Sequence, residues 1–281
     1  MNDTSLSSGA GSALSDTPRD DQILQLLLQL GDAARAETLP RFRRTGLGEN
    51  KAAGTDRGFD PVTEADRAAE AAIRKFLTQA APKDGVLGEE EAAKPGDSGI
   101  TWVVDPIDGT RAFVAGIPLW GTLIARDDGT AATHGLVDHP ATGERFFGIR
   151  GVGAWLQHRG ETTRIKTSTT RSLAEAVLIT TAPDLFDSAE APFFDAVRQK
   201  TRLTRLGTDC YGYSLVALGT ADIVVEAGLK AYDIAAPKAL VEAAGGVVTD
   251  WSGGDCRWGG RTLAAATPEL HAEALALLSS A

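Results

Sequence analysis

The stretch Trp102-Val-Val-Asp-Pro-Ile-Asp-Gly-Thr110 says the most about how this chain folds. Residues 101–104 predict a buried strand, which is expected to end at Asp105 because Pro106 restricts the backbone that follows. Gly109-Thr110 can then begin a helix. Apolar residues at helical spacing predict a helix over residues 21–37, and turn signals predict antiparallel hairpins over residues 116–149. Strands and helices alternate in the second half, which predicts layers of α and β structure.

The same turn carries two carboxylates, Asp105 and Asp108, three residues apart. Carboxylates at this spacing on a sharp turn can bind a hard cation, and the carbonyl oxygen of Ile107 between them could supply another ligand. The free N–H groups at the start of the following helix favour a phosphate. The competing interpretation is structural, with Asp108 only capping the helix.

Four further acidic positions are ambiguous when each is taken alone. Gly88-Glu89-Glu90 follows a short predicted strand and also suits a solvated loop. Thr63-Glu-Ala-Asp66 begins a predicted helix and has the spacing of a capping box. Asp233, before the predicted helix 234–244, suits an N-cap, and Asp209, near the start of another predicted helix, has the same structural alternative.

The chain divides into a polar tail and two halves. Residues 1–18 are rich in Ser, Gly, Asp and Thr and are expected to be disordered. Residues 19–160 are predicted to form an α+β half that holds most of the acidic motifs and a strand at 116–125, and residues 161–281 an α/β half that completes the site. Residues 41–60 show no clear period and predict a mobile loop or a hairpin.

Composition argues against several classes of function. The chain of 281 residues has a formal net charge of −10, which disfavours nucleic acid and anionic membranes as partners. Cys210 and Cys256 form no CxxC pair, which favours a reducing cytoplasm. No apolar run suggests a membrane span and no N-terminal signal segment is expected. The histidines fall in no metal-binding pattern, and most are expected at the surface.

Four motifs in register resemble the inositol monophosphatase family. They are Asp60-Pro-Val-Thr-Glu-Ala-Asp66, Gly88-Glu-Glu90, Trp102 to Thr110 and Tyr232-Asp233. The resemblance implies an α/β (α+β) fold, the layered α/β/α/β/α sandwich of these sugar phosphatases, assembled as a homodimer. It also implies Mg²⁺-dependent hydrolysis of a small phosphate monoester.

The resemblance implies a role for each site residue. The implied metal ligands are Glu89, Asp105, Ile107 through its carbonyl, Asp108 and Asp233. Asp66 and Thr110 would orient and deprotonate the attacking water, and the N–H groups of Gly109 and Thr110 would bind phosphate. Glu226 would contact the leaving alcohol, and Lys51 would lie on a loop near the site.

Electrostatics supports a cation site independently of the resemblance. Five carboxylates in one pocket, those of Asp66, Glu89, Asp105, Asp108 and Asp233, would repel one another strongly. At about 4 Å, each like-charged pair costs about 4 kcal/mol at an effective dielectric constant of about 20. Two or three Mg²⁺ ions would remove this repulsion and attract a phosphate in spite of the negative net charge. The all-oxygen ligand set favours magnesium over zinc.

Segments around these motifs are most similar to the histidinol-phosphatase branch of the family. Residues 111–124, 207–211 and 225–236 carry this similarity. Histidinol phosphate has an ammonium and an imidazole group, and Asp209 and Glu226 could pair with that cationic end. The predicted reaction is hydrolysis of L-histidinol phosphate to L-histidinol in histidine biosynthesis. An inositol-1-monophosphatase or a broader sugar phosphatase is the main alternative, and a non-catalytic metal- or phosphate-binding relative is the alternative of another class.

Overall fold

The computed structural model describes residues 18–44, 49–50 and 61–279. The tail prediction for residues 1–17 and the predictions for Lys51 and Asp60 therefore lie outside the described residues. Pro18, assigned to the tail, is already the first residue of a helix. Among the described residues, no helix combines the length and the apolar character needed to cross a membrane.

The first half of the chain is a seven-stranded sheet with two helices on one face. The helices are α1 (Pro18–Thr38) and α2 (Glu64–Ala80), and a ribbon of β1 (Glu49–Asn50) and β2 (Pro61–Val62) falls between them in the chain. The sheet consists, in spatial order, of β3 (Gly85–Gly88), β4 (Thr101–Asp108), β5 (Gly121–Asp127), β6 (Ala132–His139), β7 (Glu144–Ile149), β8 (Gly153–His158) and β9 (Glu161–Ile165). Strands β3 and β4 are parallel and the other neighbours are antiparallel. A short helix, α3 (Thr110–Ala115), follows β4.

Apolar stripes on α1 and α2 explain why both helices lie on this sheet. Leu27 and Leu30 of α1 and Ile73 and Leu77 of α2 are buried in one cluster with Trp102 of β4. Removing each of these side chains from water stabilises the fold by about 1.5–3 kcal/mol. The helical spacing of these residues therefore fixes which face of each helix turns toward the sheet.

The second half is built on a five-stranded sheet in the order β11-β10-β12-β14-β13. Its strands are β10 (Val177–Thr180), β11 (Leu203–Leu206), β12 (Ile223–Lys230), β13 (Val247–Thr249) and β14 (Gly259–Ala265), and its helices are α4 (Ala191–Arg198), α5 (Tyr211–Leu218), α6 (Ala231–Ala243) and α7 (Pro268–Leu278). Helices α5 and α6 share a buried core with both sheets, whereas α4 and α7 pack on the outer face of the second sheet.

Helix α6 lies close against the first sheet because glycine stands where they meet. A Cβ atom at Gly135 of β6 would lie 2.4 Å from the Ala236 carbonyl oxygen of α6. Such a contact would force the helix away from the sheet. The resulting order of layers, with α1 and α2 outermost on one side and α4 and α7 on the other, confirms the predicted α/β/α/β/α sandwich.

Two strand predictions, one within residues 102–110 and one after them, are wrong in their bounds. Strand β4 does not end at Asp105 but continues to Asp108, with a shift in its register to β5 between these residues. The predicted strand 116–125 begins only at Gly121, since Gly116 has a left-handed φ of +75° and ends α3. Strands β8 and β9 have no predicted counterpart, and β9 continues the first sheet past residue 160.

The expectation that most histidines lie at the surface is also wrong. The side chains of His134, His139 and His271 are buried. The ring nitrogens of His139 lie 3.2 Å from the Trp120 carbonyl oxygen and 3.0 Å from the Ser214 hydroxyl oxygen. Burial lowers the pKa of His139 to about 4, so this imidazole is neutral at pH 7 and bridges the first sheet to α5.

Candidate active site

The turn between β4 and α3 presents the first two carboxylates. Asp105 is buried, and its Oδ1 accepts the N–H of Ile107 at 3.0 Å. The hydroxyl of Thr110 donates to the carbonyl oxygen of Ile107 at 2.9 Å, which closes the turn. Gly109 has a left-handed φ of +79°, a conformation that a residue with a Cβ atom adopts only at a cost of about 1–2 kcal/mol. This local geometry turns Asp105 and Asp108 toward a common point.

A third carboxylate reaches this point from the other half of the chain. Helix α6 begins at Ala231, so Asp233 lies in its first turn and not at the predicted N-cap position. The Oδ2 atom of Asp233 accepts the N–H of Lys230 at 2.6 Å, which holds the side chain at the helix start. One carboxylate oxygen from each of Asp105, Asp108 and Asp233 lies within 4.8 Å of the others.

Mutual repulsion and burial perturb these carboxylates. Burial raises the pKa of Asp105 well above its ordinary value, and the charges of Glu89, Asp108 and Asp233 raise it further. The pKa of Asp233 is raised to about 7, chiefly by burial, although the hydrogen bond from Lys230 opposes the shift. Acids with such pKa values are stabilised in their ionised form by a bound cation.

Glu89 adjoins the same cluster from the first sheet. It follows β3 directly, is half-buried, and is close enough to Asp105 for a hydrogen bond between the carboxyl groups. Glu89 and the three clustered carboxylates come from three separate segments, and the Ile107 carbonyl lies in the same turn as Asp105 and Asp108, so every candidate donor is an oxygen atom. This set fits Mg²⁺, which binds through oxygen and tolerates a partial protein shell completed by water.

Asp66 occupies a structural position at the start of α2. Its Oδ2 accepts hydrogen bonds from the N–H and the hydroxyl of Thr63 at 2.8 and 2.5 Å, and the Thr63 hydroxyl accepts from the helix in return. Thr63 and Asp66 therefore form the capping box that their spacing in the sequence suggested. The neighbouring Ala65 packs in a buried cluster with Ile107 and Phe113, so the start of α2 lies against the turn that carries Thr110.

A cavity of 230 Å³ opens beside the acidic cluster, and Glu226 forms part of its wall. Glu226, at the irregular part of β12, accepts hydrogen bonds from the N–H and hydroxyl of Thr181 at 3.1 and 2.5 Å and from the Tyr213 hydroxyl at 2.9 Å. Burial raises the pKa of Glu226 to about 7, whereas the bonds from Thr181 and Tyr213 oppose the shift. Glu226 is thus fixed in orientation and titrates near neutrality.

Asp209 lines the same cavity and does not cap α5 with its side chain. The N-cap of α5 is Cys210, and no side-chain cap bond forms there. Asp209 has a left-handed φ of +46°, which is uncommon for a residue other than glycine. Burial raises the pKa of Asp209 to about 6, and the charge of Arg111 opposes the shift. A Cβ atom at Gly109 would lie 3.2 Å from that of Asp209, so this carboxylate adjoins the turn after β4.

The structure brings residues to the cavity that the sequence did not single out. They are Leu185, Tyr213 of α5, and Thr181, which directly follows β10. Arg111 of α3 also lines the cavity and belongs to residues 111–124, which carry the family similarity. One signal could have identified Thr181, because residues at the carboxyl ends of parallel strands gather at the same edge of a sheet. Tyr213 lies within a helix of apolar character, where nothing in the sequence separates it from core residues.

Comparisons with known proteins identify the family of this chain. Residues 20–281 match the inositol monophosphatase family. The chain is 39% identical over 211 residues to a chloroplastic bifunctional phosphatase, IMPL2, of Arabidopsis thaliana, covering 74% of this chain but only 60% of the plant protein. It is 38% identical to a histidinol-phosphatase of Chlorobaculum parvum over 82% of this chain and 86% of that one. The solved structure of an inositol monophosphatase from Zymomonas mobilis has a TM-score of 0.81 and 38% identity, covering 94% of this chain and 99% of that chain.

The chain belongs to the inositol monophosphatase family, as its motifs indicate. It is accordingly a phosphatase of phosphate monoesters in a family that depends on a metal ion, usually Mg²⁺, and its cluster of Asp105, Asp108 and Asp233 could hold such an ion. Its relatives include histidinol- and inositol-phosphatases, so family membership leaves the identity of the leaving alcohol open.

Proposed function

We propose that this protein is a Mg²⁺-dependent histidinol-phosphatase that converts L-histidinol phosphate and water to L-histidinol and phosphate in histidine biosynthesis. The observation that carries the proposal is a second pair of acidic groups, Asp209 and Glu226, in the cavity beside the acidic cluster. A leaving alcohol that bears an ammonium and an imidazole would pair with these carboxylates through charge-assisted hydrogen bonds.

Each residue near the reacting phosphate has a defined task in this proposal. The ligands for two or three Mg²⁺ ions would be Glu89, Asp105, the Ile107 carbonyl, Asp108 and Asp233. When bound, the ions would neutralise the carboxylates, draw in the phosphate, and lower the pKa of a coordinated water. The N–H groups of Gly109 and Thr110 would bind phosphate oxygens, and Asp66 with the Thr110 hydroxyl would hold the attacking water and accept its proton.

The charges of Asp209 and Glu226 decide whether a cationic or a neutral leaving alcohol is preferred. With pKa values of about 6 and about 7, Asp209 and Glu226 are partly to fully ionised at pH 7 to 8. A cationic alcohol stabilises both ionised forms, whereas inositol offers only hydroxyl groups as hydrogen-bond partners. Lys51, which lies outside the described residues, is proposed as a further phosphate contact on the resemblance alone.

The second candidate is an inositol-1-monophosphatase or a broader sugar phosphatase. It is favoured by the likeness to the inositol monophosphatase of Zymomonas mobilis. Glu226 held by Thr181 and Tyr213 could also orient a neutral hydroxyl.

A substrate panel with Mg²⁺ separates the candidates. We expect kcat/KM for L-histidinol phosphate to exceed that for myo-inositol 1-phosphate and for sugar phosphates by at least about 10-fold, the value of one charge-assisted contact. A preference for the inositol ester would refute the histidinol-phosphatase proposal. Absence of turnover on every ester would instead favour the non-catalytic alternative.

Assembly and location belong to the same proposal. Family resemblance supports a homodimer, which size-exclusion chromatography with light scattering would test. Both cysteines, Cys210 and Cys256, are buried and unpaired, which supports a reducing compartment such as the cytoplasm.

A further inference from the structure

A buried carboxylate on α2 holds the turn that carries Glu89. Glu70 is fully buried. Its Oε2 atom accepts the N–H of Glu90 at 2.7 Å, and its Oε1 atom accepts the N–H of Glu91 at 3.1 Å. Arg74, one helical turn further on, donates to Oε1 at 2.8 Å and to the Glu91 carbonyl at 3.0 Å. Charge-assisted bonds of this kind are about twice as strong as neutral ones.

Close contact continues on the other side of Glu89. A Cβ atom at Gly88 would lie 2.1 Å from Oε1 of Glu70, so only glycine allows the carboxylate to approach the chain here. Glu70 therefore touches the residues immediately before and after Glu89. The backbone of Glu89 is held from both directions while its side chain remains directed toward Asp105.

The position of Glu70 on its helix ties two parts of the site together. Asp66 and Glu70 are four residues apart on α2, so they lie on the same face of one rigid element. Asp66 adjoins the turn after β4 through the packing of Ala65. Helix α2 thus determines both where Asp66 lies and where the Glu89 turn lies.

We propose that Glu70 is a positioning residue that fixes the Glu89 carboxylate for a divalent cation. Burying a carboxylate is unfavourable unless hydrogen bonds and a counter-charge offset the lost solvation. Within the part of the chain that the structure describes, the hydrogen-bond partners of Glu70 are Arg74 and the N–H groups of Glu90 and Glu91. Groups that hold a metal ligand in place affect metal affinity by about 10- to 100-fold when they are changed. This inference rests on the metal site of the proposed function but not on its substrate.

The test is Mg²⁺ binding to metal-free protein, measured by isothermal titration calorimetry. Glu70→Gln keeps the side-chain volume but loses the charge and one acceptor, so we expect the dissociation constant for Mg²⁺ to rise by about 10-fold or more. The same substitution made on a Glu89→Gln background should change the dissociation constant little, since Glu70 acts through Glu89. Glu70→Asp, which keeps the charge and shortens the side chain, serves if Glu70→Gln does not fold.

Asp222→Asn is the matched control. Asp222 is also a buried carboxylate that accepts a backbone N–H, that of Val177 at 2.7 Å, but it lies immediately before β12, at the opposite end of the strand from Asp233. This variant should lower thermal stability and leave Mg²⁺ affinity unchanged.

The outcomes separate this inference from the metal assignment. If wild-type protein binds Mg²⁺ and Glu70→Gln binds it equally well, or loses affinity equally in both backgrounds, Glu70 is not a positioning residue for Glu89. If wild-type protein binds no Mg²⁺, the metal site itself is wrong, and this inference fails with it. The inference is supported if Glu70→Gln weakens Mg²⁺ binding in protein that retains Glu89 and leaves it unchanged on the Glu89→Gln background.

Discussion

Replacing Glu226 by Gln tests the leaving-group assignment most directly. The carboxylate is 3% exposed and accepts bonds from the Thr181 N–H, the Thr181 hydroxyl and the Tyr213 hydroxyl. Glutamine keeps the shape and one acceptor oxygen but carries no charge. Its NH₂ group replaces one acceptor oxygen, so the hydroxyl of Thr181 or Tyr213 that donated to that oxygen has to rotate and accept a hydrogen bond instead.

The expected magnitude follows from the charge that is lost. A hydrogen bond to a charged group contributes about 1.5–3 kcal/mol, which is about 10- to 150-fold in kcat/KM for a cationic alcohol. A neutral alcohol loses only an ordinary hydrogen bond of about 0.5–1.5 kcal/mol, or about 2- to 10-fold. The ratio of kcat/KM for L-histidinol phosphate to that for myo-inositol 1-phosphate should therefore fall by about 10-fold.

The assay is steady-state phosphate release from both esters at saturating Mg²⁺ and at about pH 8, above the Glu226 pKa of about 7. Comparing two substrates on one variant removes any general loss of active protein from the ratio. An unchanged ratio, with both substrates slowed alike, would show that Glu226 supports the site structurally and does not recognise a cation.

Three further outcomes follow from the same geometry. Asp105→Asn should lower kcat by about 10³-fold, which corresponds to the loss of several kcal/mol of charge stabilisation. The Tm of the metal-free protein should not fall, because the substitution relieves repulsion between the clustered carboxylates. Normal turnover by this variant would contradict the metal assignment. Asp233 and Glu226 have folded pKa values of about 7, well above those of unfolded acids, so the folded state binds more protons between about pH 4 and pH 7. The contribution of these groups to stability therefore falls as pH rises through this range. Mg²⁺ should raise Tm more at about pH 7.5 than at about pH 5, as measured by scanning calorimetry with EDTA as control. An equal effect of Mg²⁺ on Tm at both pH values would contradict this prediction. Asp138→Ala should reduce the free energy of unfolding by about 3–5 kcal/mol in urea titrations, since buried Asp138 pairs with Arg35 and Arg145; a change below about 1 kcal/mol would show that these pairs contribute little.

Local patterns in the sequence were sufficient for the acidic turn and for the helices of the first half. The Asp-Pro-Ile-Asp-Gly order at 105–109 acts over a few bonds, through the Asp105 bond to the Ile107 N–H and the left-handed Gly109. The apolar spacing in α1 and α2 likewise depends only on the period of a helix. These features could be predicted because the forces that produce them act between near neighbours.

Other features depended on contacts between residues far apart in the chain. Thr181 meets Glu226 across 45 positions, and the Cys210 N–H reaches Asp108 across 102. Likewise, 20 positions separate Glu70 from the Glu90 N–H that it accepts. Burial of His139 and the lengthened β4 also arise from neighbours in the folded sheets.

The sequence by itself determined the family, the layered fold and the acidic residues of the candidate metal site, because motif spacing and apolar period are local properties. Only the tertiary structure decided how those residues are held and what surrounds the leaving-group end. The position of a side chain such as Glu70 depends on which strands and helices pack together, and that packing is set by the burial of apolar surface across the whole chain.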